Sequence, residues 1–306
     1  MTTTTALAVN RTSALSAIVE MVTNAVTSEH TKRAYSRALV DFVAWHSSEG
    51  RQGLDKATVN AYVAHLRAAG VPASSINQRL VAIRKMAREA ADNGLIDHAT
   101  AEAIARAQGV RSEGKRLGNW LSKDDAQRLL DAPDVGATKG LRDRAILAVL
   151  LGCGLRREEC AAVTVAHLQQ REGRWVIVDI QGKRNKLRSV PMPSWAKYAV
   201  DAWLVAGSIS DGPIFRPVNR GGRVGAGPMT AQAIYNAVNE YAAALGLTVH
   251  PHDLRRTFAK LAKKGGAPIE QIQFSLGHAS VMTTERYLGE QQDLTSAPCD
   301  ALGLRI

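Results

Sequence analysis

The sequence lacks most of the features that assign a chain to a class at a glance. It has no apolar run of about 18 residues, so no segment is expected to span a bilayer. Its first residues, "MTTTTALAVNRTSALSAIVE", do not join a basic start to a long apolar core, so no secretory signal is expected. Cysteine is scarce. Cys153, Cys160 and Cys299 have neither disulfide nor zinc spacing, and a reducing cytoplasm is the expected compartment. There is no P-loop, no G-x-G-x-x-G and no internal repeat, which leaves nucleotide hydrolysis and dinucleotide chemistry without support. His250 and His252 have no carboxylate or cysteine at usable spacing to complete a ligand set, so no metal and no cofactor are expected.

What is present points elsewhere. The chain has 306 residues, comfortable for two domains with a core in each. Apolar residues make up 45% and charged residues 22%, an ordinary globular balance. Lys and Arg number 39 against 28 Asp and Glu, a formal net charge of +11. Both halves share the excess, and it is not gathered on one amphipathic helix. A polyanion is therefore the expected partner, nucleic acid before a membrane surface.

Residues 1–12 are Thr-rich and are expected to be loose. Residues 13–108 read as helix throughout. Ala34, Leu39, Phe42 and Val43 recur near helical spacing, and "DKATVNAYVAHLRAAG" stops at Gly70, a residue suited to the position just past a helix. Pro72 suits the start of the next helix, where Ile76, Leu80, Ile83 and Met86 form an apolar stripe. Its other face carries Arg79, Arg84, Lys85 and Arg88 against one acid, Glu89, and reads as a surface that meets phosphate. The polar, basic stretch "GVRSEGKRLGN", 109–119, reads as a linker. From 120 to 306 the pattern is mixed. Helices are expected at 122–131, 138–152, 156–163, 194–206, 229–245, 252–265, 268–276 and 281–288. Two strands, 174–180 and 187–192, are expected to form a hairpin whose tip carries Lys183, Arg184 and Lys186.

Four stretches concentrate polar groups in apolar surroundings. In "LLGCGLRREECAAV", Arg156 and Glu159 share a helix face, so the acid can orient the guanidinium. The hairpin tip is the second. In "VHPHDLRRTFAKLAKKG", His252 sits on a first helical turn with Arg255 and Arg256 three and four residues on, and spacing alone does not choose between them. The fourth, "LGHASVMTTERYLG", holds His278 and Tyr287. Six tyrosines occur, and composition does not choose among them. Together these groups suit phosphoryl transfer. Arginine forks can hold the non-bridging oxygens of a pentacoordinate phosphorus, and fixed cations can replace a metal. A tyrosine oxygen can attack the phosphorus, storing the bond energy as a phosphotyrosine diester without ATP.

With these boxes in order, the chain resembles the tyrosine recombinases of the phage integrase family, in their two-domain Xer-like form. "GCGLRREE" is similar to the family's G-L-R-x-x-E box, which gives Arg156 and its supporting acid Glu159. "GKRNKLRSVPM" is similar to the family's β-hairpin, which gives Lys183, and "HPHDLRRTFA" is similar to its H-x-x-R box, which gives His252 and Arg255. "LGHAS" supplies His278 and "TTERYLG" the nucleophile Tyr287. Two departures are visible, Cys153 where Thr or Ser commonly stands and an additional Arg157, and neither removes a catalytic group. About a dozen residues precede the first expected helix, too few for an additional arm-binding domain.

The resemblance implies a mainly α fold: a helical, SAM-like core-binding domain, then an α-rich catalytic domain with a small antiparallel sheet and a tail, 289–306. It implies a site-specific recombinase of double-stranded DNA, with a dimer on each site, a tetramer in the synapse and accessory factors that can set direction. It also implies work at the nucleoid, in the cytoplasm. Tyr287 would attack, Arg156 and Arg255 would hold the phosphate, His252 would move the tyrosine proton, Lys183 would protonate the leaving oxygen and His278 would position the phosphate. The tail would dock on a neighbouring protomer. Without DNA, Tyr287 is expected to stand well away from Arg156 and Arg255. The competing readings are a type IB topoisomerase or telomere-resolving enzyme, and a DNA-binding relative without catalysis.

Overall fold

The structure, a computed structural model, describes residues 17, 19–51, 53–111, 119–182 and 186–288, apart from the side chains of His30 and Arg286. Four expectations fall outside the described residues: the Thr-rich start, most of the linker, the hairpin tip with Lys183 and Arg184, and the tail with Cys299. The fold is mainly helical, with one small antiparallel sheet. The chain divides into two compact units, Met1–Lys115 and Arg116–Ile306. Among the described residues no helix is long and apolar enough to cross a membrane.

The first unit contains a short helical stretch, α1 (19–24), then α2 (Glu29–Ser48), α3 (Lys56–Ala68), α4 (Ala73–Asp92) and α5 (His98–Ala105). Side chains that the sequence places just before the helices cap them. Ser28 accepts from the Thr31 N–H, Asp55 from Thr58 and Asp97 from Thr100, each satisfying an amide that the helix leaves unpaired. The apolar stripes meet in a core of Leu39, Phe42, Trp45, Tyr62, Ile76, Leu80, Ile83 and Ile104. Beyond α5 the chain is pinned back on α4. The Asn77 amide donates to the Val110 carbonyl and accepts from the Val110 N–H, both at 2.9 Å. A Cβ at Gly109 would lie 2.5 Å from that amide oxygen, so this clasp needs glycine.

The second unit runs α6 (Lys123–Asp131), α7 (Thr138–Cys153), α8 (Arg157–Ala162), a 3-10 turn (Val165–His167), β1 (Leu168–Arg171), β2 (Arg174–Gln181), β3 (Leu187–Pro191), α9 (Ser194–Ala206), α10 (Ala231–Ala244), α11 (Pro251–Lys264), α12 (Ile269–Leu276) and α13 (Val281–Leu288). Ala145 to Leu151 of α7 are all buried, so this helix is the central pillar. Cys153 and Cys160 are buried, and burial pushes the Cys153 thiol up to about 12.

The sheet has three strands in the order β1-β2-β3, one more than the sequence pattern suggests. Leu168 pairs with Ile177, and Ile177 with Val190. The additional strand, "LQQR", is short and polar and has no alternation to reveal it. Its signal is the turn that follows. Glu172 and Gly173 both have positive φ, 50° and 73°, the pairing that a tight two-residue hairpin requires.

Candidate active site

The site is built where α7 ends. Gly154 caps that helix with φ +60°, and a Cβ there would lie 2.5 Å from the Phe258 ring. The reversal puts Arg156 at the N-cap of α8. Glu159, one turn in, accepts from the Arg156 main-chain N–H at 2.8 Å and from its guanidinium at 2.6 Å. The Glu159 side chain is buried, while that of Arg156 is 25% exposed, so this guanidinium is held by the acid without being sealed from solvent.

Arg255 settles the choice that spacing left open. It turns inward, 1% exposed, and donates to the carbonyls of Gly154 and Leu276. Its nearest carboxylate oxygen, on Glu159, is 3.9 Å away, beyond hydrogen-bond reach. Burial, and then the neighbouring charge of Arg156, lower its pKa to about 10. A buried cation with too little compensating charge is a place for an anion. Arg256 instead lies over the Tyr287 ring, 5.0 Å from its centre.

The two histidines come from α11 and from the turn after α12, where Gly277 has φ +62°. Burial and the nearby arginines lower both; His278 falls to about 4 from an ordinary 6.5. Both rings are therefore neutral at pH 7. His278 Nδ1 lies 3.0 Å from the hydroxyl of Thr284, which is fully buried on α13.

Tyr287 is not where a parked nucleophile was expected. Its ring stands edge-on between His252 and His278, with centres 5.6 and 5.3 Å apart, and it feels the charges of Arg255, Arg256 and Arg156. Packing explains the docked position. Leu288 is 1% exposed in a small core with Ala259, Ile272 and Leu276, which anchors α13 on α11 and α12. The Tyr287 hydroxyl donates to the main-chain carbonyl of His252 at 3.3 Å, and burial raises its pKa despite the arginines.

The other candidate residues are scattered. Arg79 pairs with Asp41 at 2.7 Å and with the Tyr62 hydroxyl, Lys85 pairs with Glu89 at 3.0 Å, and Arg84 donates to the Ala107 carbonyl. These three are half-buried and only Arg88 of the four is exposed, so the cationic side of α4 is not one open face. Lys186 is exposed beside the sheet. Sequence reasoning missed two features. In the first unit, Arg33 and Arg37, four apart on α2, line a groove of about 460 Å³ with Ser75, Gln78 and Arg79. In the second, Arg188 on β3 forks onto both Glu159 oxygens, at 2.9 and 2.7 Å. Arg188 was detectable, since it shares the inward face of its strand with Val190 two residues on.

The histidines make a stability prediction. Between pH 6.5 and about 4 an unfolded chain takes up a proton at His278 that the folded chain refuses. Stability therefore falls as pH drops through that window. The melting temperature should decline on acidification, and less so in His278→Gln; an unchanged decline in that variant removes His278 as a source.

Comparison with known proteins shows the family. The model for the phage integrase family matches residues 119–293, and that for the phage integrase N-terminal SAM-like domain matches residues 20–94. The chain is 32% identical to tyrosine recombinase XerD of Pseudomonas aeruginosa, over 85% of this chain and 86% of that protein. It is 33% identical to tyrosine recombinase XerC of Pelobacter propionicus, over 85% and 84%. The fold is similar to that of XerH site-specific recombinase in a pre-cleavage complex with difH, with TM-score 0.65, 18% identity and 86% and 76% coverage. It is also similar to a lambda integrase dimer on a COC′ core site, with TM-score 0.68, 16% identity and 92% and 78% coverage.

Proposed function

Because the chain belongs to the phage integrase family and is a tyrosine-type site-specific DNA recombinase, we propose that Tyr287, Arg156, Arg255, His252, His278 and Lys183 form its strand-transfer centre, with Glu159 in support. One observation carries this reading. Two arginines, two neutral histidines and a tyrosine, drawn from α8, α11, the turn after α12 and α13, converge on one place that lacks an anion's worth of compensating charge.

In this reading the scissile phosphate sits against Arg255 and Arg156, whose N–H groups hold the non-bridging oxygens and gain strength as charge builds there. Tyr287 Oη attacks phosphorus and leaves a 3′-phosphotyrosine and a free 5′-hydroxyl. Its proton passes to His252, whose depressed pKa keeps a ring nitrogen unprotonated at neutral pH. When the Thr284 hydroxyl donates to His278 Nδ1, the ring proton lies on Nε2 and can bond a phosphate oxygen. Lys183 protonates the leaving 5′-oxygen. The 5′-hydroxyl of the partner strand then attacks the phosphotyrosine, so bonds broken and made are alike and no ATP is consumed.

The substrate is double-stranded DNA carrying a recombination site, bound by two protomers and paired in a tetramer. Accessory factors would set direction, the tail 289–306 would dock on a neighbouring protomer, and the protein would work at the nucleoid in the cytoplasm. Backbone contacts come from the Arg33, Arg37 and Arg79 groove, from Arg88, and from Arg184 and Lys186. Phosphate contacts release counterions. If a protomer makes roughly six to ten of them, affinity should fall about 10³–10⁵-fold between about 50 and 200 mM salt. Fluorescence anisotropy across that range is the check, and a flat salt response would overturn the electrostatic reading. The central experiment is to trap and sequence the DNA that becomes covalently bound to the protein. No trapped DNA would remove the proposed chemistry and leave a DNA-binding relative.

A further inference from the structure

Arg188 is a charged group beside the cluster that the proposed mechanism does not use. Its side chain is 9% exposed, and each of its three nitrogens donates to an acceptor within the protein. Its three nitrogens reach two parts of the centre. Nη1 and Nη2 donate to Oε1 and Oε2 of Glu159 at 2.9 and 2.7 Å, and Nε donates to the Ser275 carbonyl at 2.9 Å. Ser275 is near the end of α12, just before Gly277 and His278. Gly277 lets the arginine through, because a Cβ there would lie 2.8 Å from Arg188 Cδ.

The arithmetic of the Glu159 carboxylate gives this fork a consequence. An ionised carboxylate has about four acceptor sites. Arg156 fills two of them, with its main-chain N–H and Nη1, and Arg188 fills the other two. Arg255 Nη1 waits 3.9 Å from Oε2 with no hydrogen bond to it. Three arginines thus surround one acid, and the one left out is the buried one that the phosphate needs. Were the Arg188 sites vacated, Arg255 would be the nearest cation able to take them. Its charge would then be spent on Glu159.

We propose that Arg188 is a positioning residue of the strand-transfer centre: by saturating Glu159 and tying β3 to the Ser275 carbonyl, it fixes Arg156 and leaves Arg255 for the phosphate. This rests on the proposed centre. Burial alone would raise the Glu159 carboxyl; the Arg188 fork and the Arg156 contacts hold it instead at about 2. The groups facing it are Arg156, Arg188 and Arg255, with no second acid among them. Arg188 therefore acts on the rate of cleavage and not on the affinity for DNA.

The test uses the full chain and a nicked duplex carrying the sequence recovered from DNA trapped on the wild-type protein. Single-turnover formation of covalent complex is measured at saturating protein for Arg188→Gln, Arg188→Lys, Glu159→Gln and the double variant R188Q/E159Q. Arg188→Lys keeps the charge without the fork. Each Arg188 variant should cleave about 10–100-fold more slowly, the range typical when a group that orients a direct ligand is lost. DNA affinity should stay near wild type, while the melting temperature falls because a buried ion pair loses one partner. The double variant should be no slower than the slower single, because both changes remove one device. Losses that multiply, a loss that follows DNA affinity, or wild-type cleavage by Arg188→Lys each overturn the proposal. If Arg188→Gln does not fold, Arg188→Lys alone and combined with Glu159→Gln decides between the same outcomes. Absence of adduct with the wild-type chain would instead overturn the parent reading.

Discussion

Tyr287→Phe is expected to form no covalent protein–DNA complex at any time or temperature, while binding DNA nearly as well as the wild-type chain. The substitution removes one oxygen and leaves the ring where it is. The edge-on packing against His252 and His278 and the stacking of Arg256 depend on the ring, not on the hydroxyl. What is lost structurally is a 3.3 Å hydrogen bond to the His252 carbonyl, worth about 0.5–1.5 kcal/mol at most. What is lost chemically is the proposed nucleophile. A covalent adduct in Tyr287→Phe, seen as a DNA-dependent shift on a denaturing gel, would show that another residue attacks. Relaxation of a supercoiled plasmid that carries no recombination site would point to the topoisomerase reading.

Arg255→Lys has the next largest expected effect. Lysine keeps the charge, so a loss would report geometry. The arginine spans two carbonyls, those of Gly154 and Leu276, and in the proposed centre its remaining N–H groups are the ones that hold the phosphate. An ammonium has three donors on one atom and cannot bridge those carbonyls and a phosphate together. Cleavage should drop by about 10²–10³, the scale of losing one preorganised donor to a developing charge. Covalent-complex formation at saturating DNA measures it, with affinity determined separately. A rate near wild type would mean that the phosphate rests elsewhere.

Much of this was legible in the sequence, for stated reasons. Helices announce themselves through period and end residues, so Gly70 and Pro72 stand just past one helix and at the start of the next, as read. The boxes around Arg156, His252, His278 and Tyr287 are local, each held by a cap or a glycine turn nearby, and local order survives in a linear reading. Three features resisted it. The strand β1 is too short and polar to alternate. The fate of Arg84 depends on the Ala107 carbonyl, 23 residues away, so its helix face alone suggested a solvent-facing cation. Arg188 draws its meaning from Glu159 and Ser275, brought together by tertiary folding. The docked position of Tyr287 likewise follows from the burial of Leu288, a packing fact with no motif of its own.

The hydrogen bond from Tyr287 to the His252 carbonyl has a consequence for the safety of the enzyme. An amide oxygen accepts a hydrogen bond but is far too weak a base to keep the proton, and burial raises the phenol's own pKa. At rest the tyrosine is therefore a neutral phenol, beside His252 and His278 and engaged with a carbonyl that cannot activate it. In the proposed centre the hydroxyl has no reason to leave this carbonyl until an electrophilic phosphorus and its charge arrive. With Tyr287 as the proposed nucleophile, this is an interlock at the level of one proton, one that suppresses stray reaction without moving the tyrosine out of the site.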